Sequence, residues 1–178
     1  MDASMECATL TSLLGLDEFE VVQSHRNAGA KLLQLVLVPR LSLAICPHCR
    51  RQTDDRHACH DRQVRDLPMG GCAVELTVRL WQFHCEACGK YFTPRLQSLA
   101  EASRATQRLL ERLSELAGHG DVKTAARFFN LPEKTAEGWY YQYLQRKDEA
   151  PVAGLSPVVS LGIDELSLKK DAASSVAC

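Results

Sequence analysis

Cys46-Pro47-His48-Cys49 and its counterpart Cys85-Glu86-Ala87-Cys88, separated by residues 50–84, decide how this chain is read. A C-x-x-C turn offers two sulfurs to one side of a metal ion, and a second such turn closes a tetrahedron of the kind Zn²⁺ prefers. Residues 50–84 read as a hairpin-like insert that carries the second turn back to the first, which is the logic of a zinc ribbon. Arg50 and Gly89, a polar residue and a glycine, follow the two turns and help each one bend. Four thiolates leave no open position, so the ion expected is structural, not catalytic. Free thiols and redox pairs are the competing readings, and neither pair sits at the strand-to-helix junction that a redox motif occupies. His48, His57, Cys59, His60, Cys72 and His84 lie inside or beside the unit as substitute ligands or as packing residues. Cys7 and Cys178 have no partner at ligand spacing.

Period-two patterns surround the cysteines. Glu18–His25 and Lys31–Val38 flank Asn27-Ala28-Gly29 and read as a β-hairpin. Residues 50–61 are polar and read as a loop, and Gln63–Leu67 as a short strand ending at the turn Pro68-Met69-Gly70-Gly71. From Cys72 to His84, Val74, Leu76, Val78 and Leu80 alternate with Glu75, Thr77 and Arg79, which predicts a long strand. Tyr91–Thr93 begins another.

The period then changes to that of a helix. Arg104–Ala117 sets Leu109, Leu110, Leu113, Leu116 and Ala117 on one face, with Ser103 as the expected N-cap. Gly118-His119-Gly120 breaks this helix, Asp121 caps a short second one, and Asn130-Leu131 turns the chain. Pro132 suits the first turn of a third helix, where its missing N–H costs nothing. Ala136, Trp139, Tyr140 and Tyr143 form its buried stripe, leaving Glu133, Lys134, Glu137, Gly138, Tyr141, Gln142 and Gln145 outward. Three helices in this order describe a helix-turn-helix whose third helix enters the major groove. Lys134, Thr135, Tyr141 and Gln142 are then the residues expected at phosphates or base edges, and Arg104, Arg108 and Arg112, recurring at i+4, are expected to track a backbone. Glu133 and Glu137 on the same face oppose this, and a small helical packing domain with solvated charges is the alternative.

The fold class expected is α+β. An N-terminal hairpin region spans 1–40, a zinc ribbon 41–97 and a helix-turn-helix domain 98–147. A linker follows at 148–157, then the strand Val158–Ile163 with Asp164-Glu165 at its end. Charge agrees with a nucleic-acid surface in the middle of the chain: from Arg40 to Arg112 there are 12 Lys/Arg against 8 Asp/Glu, while residues 1–39 hold 2 against 5. No apolar run reaches the ~18–20 residues that span a bilayer, and Met1–Cys7 lacks the basic start of a signal peptide, so no membrane partner and a cytoplasmic location are expected.

In this order the pieces resemble the ISL-three family of bacterial insertion-sequence transposases. The resemblance is carried by Cys46-Pro47-His48-Cys49, Arg65-Asp66-Leu67-Pro68 with Gly71, Phe83-His84-Cys85-Glu86-Ala87-Cys88 with Tyr91-Phe92-Thr93, and Leu161–Lys170. It implies a zinc ribbon, a helix-turn-helix that recognises the element's terminal inverted repeats, and a large RNase-H-like domain using two aspartates and a glutamate with Mg²⁺. Asp164 matches the first aspartate. The second aspartate and the glutamate are expected far downstream, and 158–178 is therefore read as the truncated start of the catalytic domain. The expectation is a DNA-binding portion, inactive alone, in a bacterial, nucleoid-associated setting. Its expected partners are double-stranded DNA at transposon ends and a second copy or a full-length transposase. The rivals are a catalytic half supplied in trans and a zinc-stabilised protein-interaction or regulatory module.

Overall fold

Alternating leucines and valines need a surface to bury against, and here they find it in a single sheet. The computed structural model describes residues 3–101 and 103–149. Helix α1 (Ala3–Leu14) leads into strands β1 (Phe19–Asn27) and β2 (Leu32–Pro39), then the short β3 (Ala44–Ile45) and β4 (Gln52–Thr53). The long β5 (Arg56–Met69) and β6 (Cys72–Cys85) follow, with β7 (Lys90–Phe92) and the helices α2 (Gln107–His119), α3 (Val122–Phe128) and α4 (Glu133–Glu149). The main sheet runs β1-β2-β6-β5, with β7 paired to the far end of β6. β3 and β4 make a separate two-stranded hairpin.

The hairpin expected near the N-terminus is present as antiparallel β1 and β2. It is continuous with the zinc-bearing strands, because β2 pairs in parallel with β6 from Leu32↔Ala73 to Leu37↔Val78. Leu33, Leu35, Leu37, Val64, Val74, Leu76, Val78 and Leu80 share one buried face, closed by Phe19, Val21, Leu14 and Leu99.

Three expectations are corrected. First, α1 precedes the hairpin, with Cys7 and Leu10 packed on the main core. Second, the polar stretch up to Asp61 is no loop from Arg56 onward; it is the first half of β5, paired with β6 as Arg56↔Phe83, Cys59↔Trp81 and Asp61↔Arg79. Its side chains are exposed on both faces, so it shows no alternation to read. Third, α2 starts at Gln107, and its N-cap is Thr106, whose hydroxyl accepts from the Leu109 N–H at 3.3 Å. Ser103 lies before the helix with its Oγ buried and unpartnered.

The two later helices follow their sequence. Asp121 caps α3 by accepting from the Thr124 N–H at 2.8 Å. Asn130, at φ 51, makes the turn into α4, and the Leu131 N–H closes it on the Ala126 carbonyl at 2.8 Å. α4 continues through Glu149, two residues into the stretch expected as linker. Leu109, Leu110, Leu113, Ala117, Ala125, Ala126, Phe129, Ala136 and Trp139 form the helices' own core. The strand at 158–163, Asp164 and the rest of the expected RNase-H-like stub lie outside the described residues. Among the described residues no helix is long and apolar enough to cross a membrane.

Candidate metal centre and helical face

Two knuckles of matching shape hold the four cysteines. Cys46 and Cys49 lie between β3 and β4, while Cys85 ends β6 and Cys88 lies in the turn to β7. In the first knuckle the Arg50 N–H donates to the Cys46 carbonyl at 2.9 Å; in the second the Gly89 N–H donates to the Cys85 carbonyl at 2.7 Å. Arg50 (φ 60) and Gly89 (φ 65) both occupy the left-handed region, which lets each knuckle bend at the residue after its second cysteine. For Arg50 this conformation is uncommon, and the hydrogen-bonded turn holds it there. The Thr53 hydroxyl donates to the His84 carbonyl at 2.7 Å and the His84 N–H to the Asp55 carbonyl at 2.9 Å, which ties the first knuckle to the second.

The result fits zinc. The four Sγ atoms lie within 4.8 Å of one another, and Cys46–Cys88 and Cys49–Cys85 stand 3.6 and 3.5 Å apart. A tetrahedral ion with Zn–S bonds near 2.3 Å needs sulfur–sulfur edges of about 3.8 Å. Cys46 and Cys85 are buried, and Phe83, Phe92 and Ala44 pack around them, so the site is dry on its inner side. The sulfurs also feel one another. Burial raises the Cys46 thiol, but the backbone N–H groups of Cys49 and His48 and the neighbouring sulfurs outweigh it and lower the pKa to about 7. At Cys88 the Lys90 backbone N–H lowers the value, while burial and the other three sulfurs push it up to about 12. A divalent cation removes that conflict by letting all four ionise, and its binding releases protons. These ligands complete the ion's coordination and support a structural zinc.

No other group among the described residues gathers three or more potential ligands. Cys72 is buried in the main core and Cys59 is exposed on β5. His84 Nδ1 lies 3.0 Å from the Asp55 carboxylate, and the His57 ring packs against Tyr91 at 4.5 Å.

The residues weighed for nucleic acid divide into two sets. On α4 the expected face is open: Glu133, Lys134, Glu137, Gly138, Tyr141, Gln142 and Gln145 are all exposed, and Thr135 is half-buried beside the buried Ala136. The expected i, i+4 row of arginines does not form. Arg104 is exposed but precedes α2; Arg112 is exposed and paired with Glu115 at 2.7 Å. Arg108 turns inward. Its Nε donates to Asp66 Oδ1 at 2.8 Å, its Nη2 also reaches the Asp66 carboxylate, and its Nη1 donates to the Leu14 carbonyl at 2.6 Å. Sequence reasoning missed Asp66, whose side chain is wholly buried. An acidic residue two positions after Val64, on the buried side of its strand, was the available signal.

Residues 42–88 match the family model described as the zinc-finger of transposase IS204/IS1001/IS1096/IS1165. Over 143 residues the chain is 32% identical to the transposase for insertion sequence element IS1001 of Bordetella parapertussis, an alignment covering 79% of this chain and 34% of that protein. The chain thus spans about a third of the length of the curated relative it matches. No solved structure matches the chain. With the four-cysteine cluster inside the matched segment and the relative aligned through most of the chain, this protein carries the zinc ribbon of the ISL-three insertion-sequence transposases and is similar to a part of one of them.

Proposed function

We propose that this chain is a DNA-binding portion of a transposase that recognises the terminal inverted repeats of an insertion sequence. The observation that carries the reading is the open face of α4, joined to α3 by a tight turn at Asn130. In a helix-turn-helix the second helix of such a pair lies in the major groove. Lys134, Thr135, Tyr141 and Gln142 would meet phosphates and base edges, while Arg104 and Arg112 would meet the flanking backbone. Kinship with a protein named as a transposase supports the same reading. The zinc acts as a staple for the ribbon. Mg²⁺ would belong to the triad of the family's catalytic domain, to which Asp164 would supply the first carboxylate.

Retardation of a terminal-repeat duplex by the zinc-loaded protein tests this. Binding should weaken steeply with salt, because each phosphate contact releases a counterion. Lys134→Ala should weaken it further and make the salt dependence shallower by about one contact. No retardation at low salt would leave the protein-interaction module as the better reading, and Glu133 and Glu137 on the same face of α4 favour it in that case. Mg²⁺-dependent cleavage of the duplex on adding a catalytic half would instead identify a transposase completed in trans.

A further inference from the structure

Arg65-Asp66-Leu67-Pro68 marks the family resemblance but has no part in the zinc site or in the DNA-facing helix. Its surroundings give it one. It forms the end of β5 that meets the helices, and each of the four residues engages them. The Arg65 N–H donates to the Arg104 carbonyl, and the Arg65 carbonyl accepts from the Thr106 N–H, both at 2.9 Å. The Arg65 guanidinium bridges Glu75 on β6 at 2.6 Å and the Asn130 carbonyl, in the turn before α4, at 3.0 Å. Asp66 takes Thr106 Oγ1 at 2.7 Å and both arms of the Arg108 fork, and Arg108 reaches back to the last residue of α1. Leu67 packs on the helices' core, and Pro68 lines a groove with Leu116, Phe128 and Phe129. A short β-bridge between Arg65 and Ala105 completes the joint.

We infer that Asp66 is a positioning residue, which fixes the α2–α4 unit against the zinc-bearing sheet through Thr106 and Arg108 and so sets the orientation in which α4 meets DNA. The inference rests on the DNA-binding reading for its last step only. A bidentate carboxylate–guanidinium pair is directional as well as strong, so it resists rotation of one unit on the other as a single hydrogen bond does not. The carboxylate is fully buried, and water cannot stand in for the lost partners. Arg108 is committed to this joint and is not a phosphate contact.

¹⁵N relaxation on the zinc-loaded full chain tests the joint directly. In the wild type, amides of β5, β6 and α2–α4 should share one rotational correlation time. In Asp66→Asn and in Arg108→Lys, which keeps the charge but loses the fork, the helical amides should tumble faster than the sheet while zinc stoichiometry and the α4 chemical shifts persist. Affinity for the terminal-repeat duplex should fall about tenfold in both. If Asp66→Asn does not fold, Arg108→Lys decides. A single correlation time retained in the folded variants overturns the inference, as does uncoupling with unchanged affinity. Failure of the wild type to retard the duplex overturns the proposed function instead, and the relaxation data then still decide whether Asp66 orients the helices.

Discussion

The ribbon end and the three-helix unit are held together in different ways. The ribbon's apolar cluster consists of Ala44, Cys46, Phe83, Cys85 and Phe92, so two of its five buried members are thiols that a metal would claim. The helical unit has eleven buried members, led by Leu109, Leu110, Leu113, Phe129 and Trp139, and no metal ligand among them. A cluster as thin as the first cannot offset the entropy of ordering two knuckles and two short strands, whereas the second closes by the hydrophobic effect alone. Metal chemistry therefore decides the fate of one region, and packing decides that of the other.

The largest effect expected from one substitution is at the metal. Structural zinc in finger peptides binds with an apparent energy on the order of 10–16 kcal/mol at neutral pH, and that energy is folding energy. Cys85→Ala removes a buried ligand and should abolish zinc in the native mass spectrum while the helical far-UV signal remains. Next comes the other region. Leu113, fully buried on α2, should cost about 2–5 kcal/mol as Leu113→Ala in a denaturant titration, with zinc stoichiometry unchanged. Thr106→Ala removes an N-cap that also donates to Asp66, and should cost at least the ~1 kcal/mol of an ordinary cap. The smallest effect concerns Asp121. Its carboxylate accepts from the backbone N–H and hydroxyl of Thr124, which hold its pKa below the ordinary carboxylate value. A depressed folded pKa means that its stabilising contribution is present above the unfolded value and is lost as pH falls through the folded one. Amide exchange at Thr124 should therefore quicken in acid beyond the intrinsic pH trend, and an Asp121→Asn variant should lack that step.

The two regions were also unequally legible. Knuckle spacing, β6, β7 and the buried stripes of α2 and α4 could be read because ligand number and periodicity are local properties. The first half of β5 could not. As an edge strand with both faces in water from Arg56 to Asp61, it has no hydrophobic alternation. Helix α1 left a weak trace in Cys7, Leu10 and Leu14, spaced i, i+3, i+7, close to the chain start. The parallel pairing of β2 with β6 joins residues about forty positions apart, and nothing local encodes it. The arginine row failed for a related reason. Spacing put Arg104, Arg108 and Arg112 on one face, but the helix begins after Arg104, and Asp66, far off in sequence, captures Arg108.

Zinc staples one region of the molecule only. The most direct measurement is a pair of ¹H–¹⁵N correlation spectra of the intact chain, before and after removing the metal with a chelator. Resonances of 44–53 and 85–92 should collapse to unfolded positions, those of α2–α4 should keep their shifts, and added Zn²⁺ should restore the first set. A spectrum unchanged by a chelator shown to have removed the metal would contradict this, as would collapse of the helices together with the ribbon.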